Sequence, residues 1–217
     1  AKIKTNGTTV SIEKSKLSPI EIVIPGDISS AAYFIASALI TPNSDIILKN
    51  VGLNQTRTGI LDVAKQMGAD LEILDERTIC GEKVGDLRVK YTKDLKACNI
   101  SGEIIPRLID EIPVIAVLAT QADGQTRISD AQDLRNKESD RISALVNELK
   151  KLGAKIEETP DGMIIEGKTV LSGNCEVETY HDHRLAMSLY VAGLICNKEI
   201  LINAFEWVNI SFPTFLN

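Results

Sequence analysis

Aromatic residues are scarce in this 217-residue chain: they make up 4% of it, with a single tryptophan. Few rings leave few platforms for stacking unpaired bases, and the net charge of −6 opposes a general affinity for nucleic acid or anionic membrane. The apolar run Leu185–Cys196 reaches only twelve residues, short of the roughly 20 that cross a bilayer. The first seven residues are polar and contain no apolar secretory stretch. Four cysteines, at 80, 98, 175 and 196, never fall in a CxxC spacing; they read as the reduced thiols of a cytoplasmic protein. Only two histidines are present, and no Cys or His follows them at ligand spacing, which argues against zinc. Phosphate-binding glycine loops, dinucleotide fingerprints and Gly-x-Ser-x-Gly elbows are all missing.

What remains is aliphatic and repetitive. Apolar residues reach 44% and charged residues 25%, which is ordinary for a globular domain and excludes collagenous, coiled-coil and disordered chains. Three segments begin with aspartate and run into an Ala-rich apolar stretch: Asp27–Ile40, Asp110–Thr120 and Asp182–Ile195. Each aspartate is placed to cap a helix, and Pro113 falls in a first turn, where its missing N–H costs little. The stretches are apolar nearly all round, so the three helices should be buried. A β-like run follows each: Asp45–Val51, Gln125–Asp130 and Glu199–Asn203.

In the first two units an amphipathic helix comes next, over 59–67 and 139–152. Gly68 and Gly153 close these helices at the position that wants a left-handed backbone. Alternating hairpins follow, with Asp70–Leu74 in the first unit, and Lys155–Thr159 and Gly162–Glu166 in the second. The capping aspartates are 83 and 72 residues apart, a spacing that suits a small α/β subdomain. The third unit stops after its first strand, and residues 1–24 carry two further strand-like runs, Thr8–Glu13 and Ile20–Ile24. Both edges of the pattern look cut, so the chain reads as a fragment.

Three places could carry chemistry. In Asp133-Leu-Arg-Asn-Lys-Glu-Ser-Asp-Arg141, Lys137 and Arg141 stand at the start of a helix whose buried stripe is Ile142, Leu145, Val146, Leu149 and Leu152. Cations there oppose the helix dipole, which suits an anionic ligand; the plain alternative is a solvated helix start pairing Glu138 with Arg141. In Tyr180-His-Asp-His-Arg184, Arg184 again lies in a first turn, and the alternatives are a simple capped start or an anion and acid–base site. Asp110 reads first as a helix cap. The repeat symmetry, however, can bring Asp110, the 137–141 cluster and Arg184 to one face, where they would suit phosphate or carboxylate chemistry.

Asn136-Lys-Glu-Ser-Asp-Arg141, Tyr180-His-Asp-His-Arg-Leu-Ala-Met187, Gly26-Asp-Ile-Ser-Ser-Ala-Ala-Tyr-Phe34 and Ser211-Phe-Pro213 resemble the 5-enolpyruvylshikimate-3-phosphate synthase family, in its order and at its spacing. The resemblance covers nearly the whole chain but only the C-terminal half of the family's length. It implies an α/β domain of repeated βαβαββ units around a pseudo-threefold axis, over residues 25–217, with its third unit incomplete. Residues 1–24 would be the tail of the other domain.

The implied reaction moves the enolpyruvyl group of phosphoenolpyruvate to the 5-hydroxyl of shikimate 3-phosphate, with no metal or organic cofactor. In this light Asp110 would be the base on the hydroxyl, and Glu138 would handle the proton at C3 of phosphoenolpyruvate. Arg141 and Arg184 would grip its carboxylate. Lys137 and Asp133 would contact the shikimate ligand, and His183 would support the site. Ile210 stands where many members carry a lysine. The partners implied are the two substrates and the N-terminal half of the same protein, in a monomer, with no nucleic acid or membrane. A non-enzymatic α/β domain that binds phosphorylated anions or a protein partner is the alternative.

Overall fold

The computed structural model describes residues 1–217. It opens on an antiparallel hairpin, β1 (Lys2–Asn6) and β2 (Thr9–Glu13), in which every residue is exposed. Ile20–Ile24 joins no sheet, contrary to its strand-like sequence; a strand needs a neighbouring strand for its backbone groups, and this run pairs with none.

The three repeats then follow. The first holds α1 (Ile28–Ile40), β3 (Asp45–Gly52), α2 (Gly59–Gln66), β4 (Leu71–Ile79) and β5 (Glu82–Lys90), with the sheet ordered β3-β5-β4. The second holds β6 (Asn99–Ile100), α3 (Ile112–Thr120), β7 (Gly124–Ile128), α4 (Arg141–Lys151), β8 (Lys155–Thr159) and β9 (Gly162–Gly167), with the sheet ordered β6-β7-β9-β8. The third holds β10 (Glu176–Glu178), α5 (His183–Gly193) and β11 (Leu201–Asn203). In each repeat the segment before the apolar helix pairs in parallel with the strand after it. The pairs are Gly26 with Val51, β6 with β7 and β10 with β11.

Helices α1, α3 and α5 pack on one another at the centre, with the sheets outside them. Their sequences explain this. All nine residues of α3 are buried, and Ala32, Ile35, Leu39, Leu185, Leu189 and Ala192 are fully enclosed. A helix that is apolar on every side is stable only when surrounded, and small alanines let three such helices approach. The amphipathic α2 and α4 lie at the periphery and bury one stripe each. In α4 the stripe is Ile142, Leu145, Val146 and Leu149, as the periodicity predicts. Gly68 and Gly153 take φ of +76° and +90° where α2 and α4 end, a region that costs a residue with a Cβ.

Six of the nine aromatics are gathered in one place. Phe215 meets Tyr33, Phe34, Tyr190, Phe205 and Phe212, which ties the last residues onto α1 and α5. No helix is long and apolar enough to cross a membrane.

Candidate active site

The site forms where the starts of α3, α4 and α5 face one another. Two of the three expected aspartate caps form: Asp27 accepts from the Ser30 amide at 3.0 Å, and Asp182 accepts from the amides of Arg184 (2.9 Å) and Leu185 (3.4 Å). Asp140 adds a cap on α4, accepting from the Ser143 amide at 3.1 Å. Asp110 is different. Helix α3 begins at Ile112 behind Glu111, with no side-chain cap, so Asp110 does not perform the capping role its place in the repeat suggests. Its carboxylate turns instead toward three cations. Lys137 Nζ is 3.4 Å and Arg141 Nη1 3.1 Å from Oδ1, and Arg184 Nη2 is 3.4 Å from Oδ2. Partial burial pushes the Asp110 carboxyl up, but Arg184, Lys137 and Arg141 together outweigh it and hold it below the usual carboxylate range.

Arg141, the first residue of α4, is 1% exposed and is the hub of the site. Its Nε and Nη2 donate to the two oxygens of Asp182, at 2.7 and 3.2 Å. Nη2 also donates to Glu138 at 2.5 Å, and Nη1 to Asp110 at 3.1 Å. Four of its five N–H groups are thereby engaged. Asp182 is wholly buried and also accepts from the Ser139 hydroxyl at 3.1 Å. Burial pushes its carboxyl up, and the bonds from Arg141, the Arg184 amide and Ser139 more than reverse this. A forked guanidinium matched to a carboxylate is the geometry that makes such a buried pair tolerable.

Lys137 and Glu138 precede α4 rather than belonging to it, after a short 3₁₀ turn over Gln132–Asn136. They reach Asp110 and Arg141 from this extended approach, not through helical spacing. Glu138 is exposed, so its carboxylate is open to a ligand on the face that Lys137 and Arg184 share. His183 opens α5, half-buried; burial, then the neighbouring Arg184, lowers its pKa and keeps the imidazole neutral near pH 7. Asp133 lies exposed on the 3₁₀ turn and makes no side-chain hydrogen bond or ion pair to the cluster. Ile210 is 65% exposed on the turn Phe205–Ile210.

Two further residues of the site have a burial that the sequence does not announce. Glu111 is 3% exposed beside Ser29 and Arg184, and its Oε1 has no hydrogen-bond partner; burial raises its pKa. Tyr33 is buried against Arg184 closely enough to feel its charge, yet its hydroxyl has no partner with hydrogen-bond geometry. Tyr33 lies in the second turn of the apolar α1 and Glu111 immediately before the apolar α3, so nothing local marks their burial. The arrangement as a whole is a basic face on a carboxylate floor. Lys137 is the more open cation, Arg184 is largely buried, Arg141 is locked beneath, and Asp110 and Glu138 are the carboxylates within reach of a ligand. Such a face can bind a small anion and move a proton next to it.

Known proteins supply the context. The family model of EPSP synthase (3-phosphoshikimate 1-carboxyvinyltransferase) matches residues 1–217. A 3-phosphoshikimate 1-carboxyvinyltransferase of Thermoanaerobacter sp. (strain X514) is 56% identical over 216 residues, 99% of this chain and 51% of the relative. Its counterpart from Petrotoga mobilis is 54% identical over 99% of this chain and 50% of its own length. The chain therefore spans about half the length of the curated relatives it matches. The solved EPSP synthase of Acinetobacter baumannii superposes with a TM-score of 0.93 at 42% identity, over 99% of this chain and 50% of that one. The enolpyruvyl transferase NikO of Streptomyces tendae shares the fold, with a TM-score of 0.68 at 14% identity over 87% of this chain and 41% of its own. The motifs, the three repeats and the family match over residues 1–217 agree: this chain belongs to the EPSP synthase (3-phosphoshikimate 1-carboxyvinyltransferase) family.

Proposed function

We propose that this chain supplies the phosphoenolpyruvate-binding and proton-transfer half of a 3-phosphoshikimate 1-carboxyvinyltransferase. The observation that carries the reading is the convergence of Lys137, Arg141 and Arg184 on the Asp110 carboxylate, within 3.4 Å of it, with Glu138 alongside. Arg184 takes the carboxylate of phosphoenolpyruvate. Arg141 has one uncommitted N–H for that carboxylate, and its grip becomes bidentate only when Glu138 or Asp110 gives up its bond. Lys137 lies toward the shikimate 3-phosphate hydroxyl, and Asp133 joins the contact when the half-site is completed.

Asp110 accepts the proton of the 5-hydroxyl as that oxygen attacks C2 of phosphoenolpyruvate. Glu138 delivers a proton to C3 and so makes C2 electrophilic. The adduct then collapses: Glu138 takes a proton back from C3, the C2–O bond to phosphate breaks, and Asp110 gives the hydroxyl proton to the departing phosphate, which leaves with the enol ether formed. The low pKa of Asp110 fits this order. Three cations keep it ionised and ready, and an anionic substrate that occupies Lys137 and Arg184 withdraws their stabilisation and raises its basicity where the proton must be taken.

Residues 1–24 belong to the second domain, and 25–217 form the enolpyruvyl transferase domain. In support, Ile3, Val10, Ile12, Leu17 and Ile20 are all more than half exposed, a cost that a covering domain removes. The complete protein is a cytoplasmic monomer. The test is phosphate release with both substrates present, on this chain alone and on a chimera that joins it to the remaining half of the Thermoanaerobacter relative. The chain alone should be silent and the chimera active. Equal turnover in the two would show that the second half is not needed, and silence in both would remove the reading.

A further inference from the structure

A second anchor lies two turns along α4 from the site. Glu148 is seven residues after Arg141, about 10 Å along the helix and on nearly the same face. It is wholly buried, which is rare for glutamate and calls for partners. They come from the stretch that leads into α5. The Glu178 amide donates to Oε2 at 3.0 Å, and the Tyr180 hydroxyl donates to Oε1 at 2.9 Å. Lys151 Nζ, 2.7 Å from Oε2, balances the charge.

The stretch held in this way is strained. Tyr180 and His181 are consecutive non-glycine residues at φ +52° and +57°, in the left-handed region that a Cβ disfavours. Other contacts help to hold them. His181 stacks on Trp207 with centroids 4.8 Å apart, Thr179 Oγ1 donates to the Ala204 carbonyl at 3.3 Å, and the Asp182 amide donates to the Thr179 carbonyl at 2.9 Å. The double left-handed turn sets the direction in which Asp182, His183 and Arg184 leave it. Asp182 clamps Arg141, and Arg184 faces Asp110. Helix α4 thus grips the 178–184 stretch twice, through Arg141–Asp182 at the site and through Glu148 away from it. Nothing in packing alone requires a buried carboxylate at 148, since its neighbours Leu145 and Leu149 already fill the core.

We infer that Glu148 is a positioning residue of the site: by holding Tyr180 and the Glu178 amide it keeps the left-handed Tyr180–His181 turn wound, and through that turn it sets the placement of Asp182 and Arg184 for the anionic substrate. The catalytic part of this inference rests on the function proposed above; the mechanical part does not.

Two measurements separate them. Amide hydrogen exchange on this chain reads the turn directly. In Tyr180→Phe and in Glu148→Ala the amides of 179–185 should exchange at least about tenfold faster, while those of α3 hold their rates. Steady-state kinetics on the chimera read the consequence. Tyr180→Phe should raise the KM for phosphoenolpyruvate about tenfold at 25 °C and leave that for shikimate 3-phosphate within about twofold, because displacing a gripping group by a fraction of an ångström already costs that much. Glu148→Gln, which can still accept from the Glu178 amide and can donate to the Tyr180 oxygen, should restore most of the loss seen in Glu148→Ala. A purely structural Glu148 would lower Tm in all variants and leave KM per folded molecule unmoved.

The inference is overturned if exchange at 182–185 is unchanged in both variants, or if exchange quickens while KM stays within about twofold. If Glu148→Ala does not fold, Tyr180→Phe decides alone, since it removes one hydroxyl from a residue that is 43% exposed. If the parent chimera is inactive, the proposed function fails, and exchange alone decides the mechanical claim: loosening that reaches 182–185 supports it, and loosening confined to 178–180 overturns it.

Discussion

Replacing Asp110 by asparagine is the most informative single change, because the structure gives its effects different signs. Asn caps a helix about as well as Asp, so a capping role would make the variant nearly silent. Asp110 caps nothing, however, and faces Lys137, Arg141 and Arg184 instead. The Asp110 side chain is 30% exposed, so each pair is discounted for solvent to about 0.2–1 kcal/mol, and the loss of three costs roughly 1–2 kcal/mol in all. For a chain of this size that lowers Tm by about 2–8 °C.

Anion affinity should move the other way. Removing a negative charge from beside the cations is worth on the order of 1–2 kcal/mol to an incoming anion at an effective dielectric near 20, so phosphoenolpyruvate should bind roughly 5- to 30-fold more tightly. Turnover should fall about 10²- to 10⁴-fold, because the proton acceptor is gone. The assay is the chimera of this chain with its relative's other half. Calorimetric binding of phosphoenolpyruvate, a melting curve and phosphate release are measured on the same preparation. Tighter binding with collapsed turnover is the expected signature. Turnover within about tenfold of the parent would refute the base assignment, and weaker anion binding would refute the charge accounting.

Other outcomes follow from the same geometry. Arg141→Ala and Arg184→Ala should part company: Arg141 is 1% exposed and its loss strands the buried Asp182 charge, so urea titration should show a cost of about 3–5 kcal/mol. Arg184→Ala, which removes a side chain with one 3.4 Å ion pair and strands no fully buried carboxylate, should cost less stability than Arg141→Ala and weaken phosphoenolpyruvate binding by at least about tenfold; equal stabilities for the two variants would contradict the hub role of Arg141. Glu111 gives a pH test. Burial raises its folded-state pKa above the unfolded value of about 4.3, so its contribution to stability is complete below that pH and is lost as pH rises through the folded pKa. The stability of the parent relative to Glu111→Gln should therefore fall from pH 4 toward neutrality, and a difference that is flat or rises with pH would show that Glu111 is paired after all.

The sequence carried the repeats and the helices because their signals are local. Apolar stretches without a polar face can only be central, and α1, α3 and α5 are; the stripe from Ile142 to Leu149 predicted which side of α4 is buried. The convergence of Asp110, the 137–141 cluster and Arg184 was legible from the repeat symmetry. The details that were not legible depend on tertiary packing. Asp110 looked like a cap because its two counterparts are caps, but α3 starts one residue later than the pattern implies. Lys137 and Glu138 looked helical, yet a 3₁₀ turn leads into α4 and they reach the site from outside it. The burial of Arg141 against Asp182, of Glu111 and of Glu148 could not be seen, since a charged residue in a sequence carries no mark of the partner that lets it be buried.

The central claim is that this chain holds the groups that move the enolpyruvyl unit, and ³¹P NMR of the chimera tests it most directly. With phosphoenolpyruvate and shikimate 3-phosphate together, the phosphoenolpyruvate signal should decay as inorganic phosphate grows in equal amount. The phosphate of the acceptor should remain attached to a carbon skeleton whose mass has increased by the enolpyruvyl group. Asp110→Asn and Glu138→Gln should each slow both changes by at least about a hundredfold. Phosphate released without shikimate 3-phosphate, or full-rate transfer in both variants, would contradict the account.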